Sequence, residues 1–229
     1  MTSTSHPQAL PGSDDVLRVE LENGITVLAR ENFTSPAVVV DGLIPGGALQ
    51  DPPELAGLAN FHASMLMRGT QQHTFADLFE EIEGNGASMD FGSGGHSYRW
   101  GIKSLAEDLP RLLDLAAEIV AQPSFPPEYI ERVRGQLLTS LQMRAHNTRS
   151  MAQLRFQELA YAGHPYALSI NGYLETVARI SRDDLLAAQQ NLGPAGSIVV
   201  IVGAVKAEDA VKMVRGEDTE HTGLKVSIA

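Results

Sequence analysis

What most constrains this chain is the order in which its hydrophobic periodicities change. Leu17 to Leu28 alternates apolar and polar residues on both sides of Asn23-Gly24, the strongest short-range hairpin signal. Ala37 to Ile44 is a β-rich run that ends in the turn Pro45-Gly46-Gly47-Ala48. Phe75 to Glu83 then repeats apolar residues (Phe75, Leu78, Phe79, Ile82) with a period near 3.6, which predicts a helix broken by Gly84-Asn85-Gly86. Ala87 to Gly101 reads as a strand ending in Tyr98, Arg99 and Trp100. Leu105 to Val120 reads as a helix with Leu109, Leu112, Leu113, Leu115, Ala116, Ile119 and Val120 on its buried side. Thr148 to Ala162 and Ser181 to Gln190 are further helices, the second N-capped by Ser181 with acidic residues in its first turn. Ile198 to Val202 is an apolar strand that leads into a last helix. This succession lacks βαβ regularity, so it predicts an α+β fold, an antiparallel or mixed sheet packed with helices, over a doubly wound one.

At 229 residues and 43% hydrophobic content the chain can bury a full core. The expected division is a flexible leader over 1–15, an α+β domain over 16–215, and a polar tail or the start of a linker over 216–229. A net charge of −11 without a basic patch argues against nucleic acid and anionic membrane as partners. No apolar run reaches about 18 residues, so no membrane span is expected. The absence of cysteine removes disulfides and thiolate metal sites. Together with an N-terminus that lacks a charged start and an apolar stretch, it leads to an expectation of a cytoplasmic protein.

Chemistry concentrates in Gly57 to Thr70, G-L-A-N-F-H-A-S-M-L-M-R-G-T. This stretch resembles the active-site helix of the insulinase/pitrilysin-type metallopeptidases, the inverzincins, in which H-x-x-E-H supplies two zinc-binding histidines and a catalytic glutamate. Residues four apart on a helix lie one turn from each other and can reach one metal ion, while the glutamate acts on the metal-bound water. Here those positions read Asn60, Ala63 and Ser64. Asn60 offers a neutral amide, Ser64 a hydroxyl of very high pKa, and Ala63 nothing that takes a proton. His62 points roughly 100° per residue away from these positions, so it cannot replace either ligand, and it reads as a partly buried or solvated histidine. Gly69 suits the turn after the helix, and Met65 and Leu66 suit a core.

The resemblance extends to F-P-P-E-Y-I-E-R-V-R over Phe125 to Arg134. In the family, the helix carrying this run supplies the third zinc ligand, a glutamate, with another acidic residue seven positions earlier. Aligning Glu131, Arg132 and Arg134 places Ser140 at the ligand position and Val133 at the earlier one. The expected cofactor is therefore none, although zinc is the family's metal. The L-E-N-G hairpin, the Gly163-His164-Pro165-Tyr166 turn and G-A-V-K-A-E-D-A also resemble family elements; His164 before proline is expected to be extended and structural.

The resemblance implies a non-catalytic homologue that pairs with an active zinc-peptidase subunit to bind and enclose peptide substrates. A stand-alone peptide-binding protein and an active zinc metalloendopeptidase with a non-standard site are the alternatives. Family members have a substrate-facing strand where this chain has Asp90, Phe91, Gly92 and Ser93, which makes these the peptide-binding candidates. Gly92-Ser93-Gly94-Gly95-His96 does not lead into a helix as a phosphate loop does, and it is read either as part of that strand or as a flexible bend. Glu80, Glu81 and Glu83 read as a solvated helix face.

Overall fold

The computed structural model describes residues 12–217. Six strands form one sheet in the order β1-β2-β6-β3-β5-β4, comprising Leu17–Glu20 (β1), Thr26–Glu31 (β2), Ala37–Pro45 (β3), Ser88–Ser93 (β4), Ser97–Leu105 (β5) and Ile198–Gly203 (β6). All pairings are antiparallel except β2 with β6, where Thr26 lies beside Ile198 and Glu31 beside Gly203. The fold is α+β with a mostly antiparallel sheet.

Alternation dictates which face is covered. Val38, Val40 and Ile44 of β3, Tyr98, Trp100 and Ile102 of β5, Val199 and Ile201 of β6, and Val27 and Ala29 of β2 are buried and share one face through their registers. Successive strand side chains point to opposite faces, so a single slip in register would expose this whole set. Gly42 lies on the same face because the Trp100 indole occupies the space above it: a Cβ there would sit 1.9 Å from the ring.

The helices are Leu58–Leu66 (α1), Phe75–Gly84 (α2), Leu109–Ala121 (α3), Pro127–Ala145 (α4), Thr148–Ala160 (α5), Leu174–Arg179 (α6), Arg182–Gln190 (α7) and Ala207–Arg215 (α8). Thr74 caps α2 and Ser181 caps α7, each side chain accepting from the third helical N–H while Asp77 or Asp184 reaches back to the cap. α1 packs against β4, α4 and α7, so it lies at the centre of the molecule. None of the helices among the described residues is long and apolar enough to cross a membrane.

Two sequence expectations change, and a third is made specific. The segment Ala87 to Gly101 is two strands, because Gly94, Gly95 and His96 turn the chain back on itself. Leu105 ends β5, and the following helix begins at Leu109. The hairpin at Asn23-Gly24 closes through a three-residue loop: Leu21 N–H donates to Ile25 O (2.8 Å), Gly24 N–H to Leu21 O (2.9 Å), and Gly24 has φ +85°. Glycine takes this left-handed geometry without a Cβ penalty. The expected leader and tail fall mostly outside the described residues; Ser13–Asp15 forms a 3-10 turn.

Candidate functional site

Glycines and one carboxylate fix the start of α1. Gly57 has φ +96°, and Asp51 accepts from Gly57 N–H (3.0 Å) and Ala59 N–H (3.1 Å), so a negative group closes the helix N-terminus. Burial pushes the Asp51 carboxyl up to about 6, against the pull of these backbone donors. Gly172 is pressed against the same corner, where a Cβ would lie 2.2 Å from Ala56 O, and Thr176 donates to that carbonyl (2.6 Å).

Along α1, Asn60 and Ser64 are half-buried and Ala63 is buried. The Ser64 hydroxyl donates to the Asn60 carbonyl (2.8 Å), a helix back-bond that occupies its proton. On α4, Val133 is in the core and Ser140 is exposed. Among the described residues no group of three or more His, Cys, Asp or Glu is arranged to hold a metal ion. An amide, a hydroxyl already bonded to its own helix, a methyl and a solvent-facing hydroxyl do not make a donor set that fits zinc.

His62 is fully buried, where the sequence suggested partial burial or solvation. Its ring meets Tyr98 and Phe125 edge-on, with centroids 5.4 and 5.3 Å away. Gln189 donates its amide to Val120 O (2.6 Å), which leaves the amide oxygen to accept from His62 Nε2 (3.0 Å). That fixes the Nε2–H tautomer and leaves Nδ1 buried without a partner. Burial lowers the imidazole to about 4, so it is neutral at ordinary pH. His62 is a core residue tying α1 to α7.

The frame of the third-ligand helix is equally occupied. Arg134 donates to Val177 O (2.8 Å), lies 5.3 Å from the Phe61 ring centroid and pairs with Glu131 at 3.2 Å. It locks α4 to α1 and α6. His164 is extended (φ −111°, ψ 148°), accepting from Tyr166 N–H.

The peptide-binding candidates Asp90, Phe91, Gly92 and Ser93 form the second half of β4, the last strand of the sheet, paired only with β5. Gly94 N–H donates to Ser97 O (2.8 Å), so alternation turns Met89, Phe91 and Ser93 N–H and C=O toward the open edge. Phe91 lies over Trp100 (6.4 Å, stacked), and Asp90 lies on the exposed face beside Gly101. The glycine turn is held rather than loose: the carbonyls of Gly94, Gly95 and His96 accept from Ala48, Leu49 and Gly46, all at 3.0 Å. Sequence reasoning missed this anchoring, which pairs segments about 47 residues apart in the chain. It also missed Asp51 and Gln189. Glu81, expected as solvated, is half-buried and pairs with Arg111.

A six-stranded, mostly antiparallel sheet packed on a central helix that carries the peptidase-like stretch Gly57 to Thr70 defines the class: a metallopeptidase-like α+β domain. Residues 26–173 match the Insulinase (Peptidase family M16) family, and the chain belongs to that family. It is 31% identical to mitochondrial cytochrome b-c1 complex subunit 1 of Bos taurus over 80% of this chain and 38% of that protein. It is 27% identical to a probable mitochondrial-processing peptidase subunit beta of Arabidopsis thaliana over 85% of this chain and 37% of that protein. The chain thus spans under two fifths of the length of these relatives. Among solved structures, a peptidase M16 inactive domain from Pseudomonas fluorescens superposes with a TM-score of 0.83 at 23% identity, over 90% of this chain and 51% of that one.

Proposed function

We propose that this chain is a non-catalytic M16 domain that binds no zinc, holds extended peptide along β4, and works beside a zinc-bearing subunit of the same family. The observation that carries the reading is the coincidence of a ligand set unfit for metal with an open strand edge. α1, which holds Asn60, Ala63 and Ser64, packs directly against β4. An extended peptide added there pairs through main-chain hydrogen bonds with Met89, Phe91 and Ser93, which gives affinity with little sequence demand. The relatives named as subunits of a larger complex and of a processing peptidase support a partnered role.

The test measures binding of an unfolded peptide to the purified chain, then repeats it with the peptide N-methylated at alternate residues. Each backbone hydrogen bond lost should weaken binding about 3- to 10-fold, and methylation at the intervening residues should cost little. Mixing with a family member that carries an intact H-x-x-E-H helix should alter its peptidase activity. Binding indifferent to methylation would remove the edge-strand mechanism. Peptide binding without any effect on such a partner would favour a stand-alone peptide-binding protein. Zinc in the purified chain, or cleavage by the chain alone, would overturn the non-catalytic reading.

A further inference from the structure

A cavity of about 320 Å³ lies at the C-terminal end of α1, lined by the Arg68–Ala76 segment, Ser124 and the start of α4 at Pro126, Glu128 and Tyr129. Arg68 lines it with its guanidinium 5.1 Å from the Phe75 ring centroid. The Arg68 guanidinium has no ion-pair or hydrogen-bond partner among the described residues, and its Nε is buried and unsatisfied. Phe75 contacts Tyr129 (5.2 Å between centroids), and Arg132, also without an ion pair among the described residues, lies 5.7 Å from the Tyr129 centroid. The result is two guanidiniums stacked on a pair of touching rings. In a chain of net charge −11, these are two guanidiniums with no carboxylate paired to either among the described residues.

We propose that this cavity is an oxyanion site, in which Arg68 makes forked hydrogen bonds to a carboxylate or phosphate group. A guanidinium presents five donors in a plane that matches either group, and stacking on an aromatic ring leaves its edge free to bind. A buried, unpartnered Nε is costly, and a bound oxyanion removes that cost. Two helices begin at the cavity, α2 after Thr74 and α4 after Pro126; the first is closed by the Asp77 carboxylate of its capping box, and the second has no side-chain cap, so its dipole adds positive potential there. The other titratable groups lining it are Glu128, exposed in the first turn of α4, Tyr129, and His73, whose Nδ1 is held by Glu118 at 2.9 Å. None of them is paired with Arg68. This site lies at the far end of α1 from Asp51 and does not depend on the peptide-binding reading.

Thermal unfolding of the whole chain in increasing sodium phosphate and, separately, sodium acetate, with chloride holding ionic strength constant, tests the proposal. Tenfold excess over the dissociation constant should raise Tm by about 3 °C or more, and the rise should saturate. Arg68→Met, which keeps an apolar stem on Phe75, should abolish the rise, while Arg155→Met on α5 should not. Amide NMR shifts of the unmodified chain, confined to Gly69–Ala76 and the start of α4, give a readout that survives if the variant folds poorly. A larger response to phosphate than to acetate identifies a phosphoryl ligand, and the reverse a carboxylate. No saturable response to either anion, a response retained in Arg68→Met, or shifts scattered elsewhere would overturn it.

Discussion

His62 and Asp51 both serve α1, one inside the helix and one at its start, and their shifted titrations act on stability in opposite directions. His62 is held at about 4, below its ordinary 6.5, so its stabilising neutral form is complete above pH 6.5 and is lost as pH falls toward 4. A shift of this size is worth at most about 3 kcal/mol. Asp51 is raised to about 6 from 3.8, so its contribution is complete below pH 3.8 and is lost as pH rises through 6. Its carboxylate is partly open to solvent, which reduces that to on the order of 2 kcal/mol. Between pH 6 and 4 the two slopes oppose, and most of the acid loss at His62 is offset. Asp51→Asn removes the offset: urea unfolding from pH 7 to 4 should show stability falling more steeply in the variant than in the parent, by on the order of 2 kcal/mol at pH 4. Parallel profiles would show that the two residues are not the dominant titrating pair.

At the scale of elements, α1 and α4 still face each other as a ligand-bearing pair would. Asn60 and Ser64 are half-exposed one turn apart, and Ser140 is exposed on α4, so longer side chains at all three fit without entering the core. The triple variant Asn60→His, Ser64→His, Ser140→Glu should therefore bind about one zinc per chain in metal analysis, and the parent should bind none. It should remain inactive, because Ala63 is only 3% exposed and still supplies no base. Failure of the variant to take up zinc would mean that the two helices have drifted apart along with their ligands. The local parts of this arrangement were legible in the sequence: Asn23-Gly24 marks a hairpin, Ser181 marks a cap, and the 3.6 period marks α2 and α3. The missing parts are those fixed at a distance. Nothing near Ala87 to Gly101 announces that Gly94–His96 is pinned by Gly46–Leu49, and nothing near His62 points to Gln189, 127 residues away. The identities of the degenerate positions were legible; their burial, and the edge status of β4, depend on how strands far apart in the chain are ordered.

For the molecule as a whole, the distribution of apolar surface is uneven. α5 buries none of its residues, yet it exposes Phe156 (70%) and Leu159 (63%), with Tyr161, Tyr166 and Ile170 close behind it. Tyr166 accepts or donates a hydrogen bond with His96 (2.7 Å), and Gln157 donates to the carbonyls of Tyr166 and Leu168 (2.7 and 3.0 Å), so the region is built and held in place. Clustered apolar groups on a held surface favour association, whereas singly scattered ones do not. Because neither Phe156 nor Leu159 packs into the core, replacing both with serine should leave the unfolding midpoint within about 0.5 kcal/mol of the parent. The same change should lower binding of a hydrophobic dye and reduce self-association in sedimentation. A large loss of stability would instead show that α5 packs on the domain in solution, and unchanged dye binding would place the adhesive surface elsewhere.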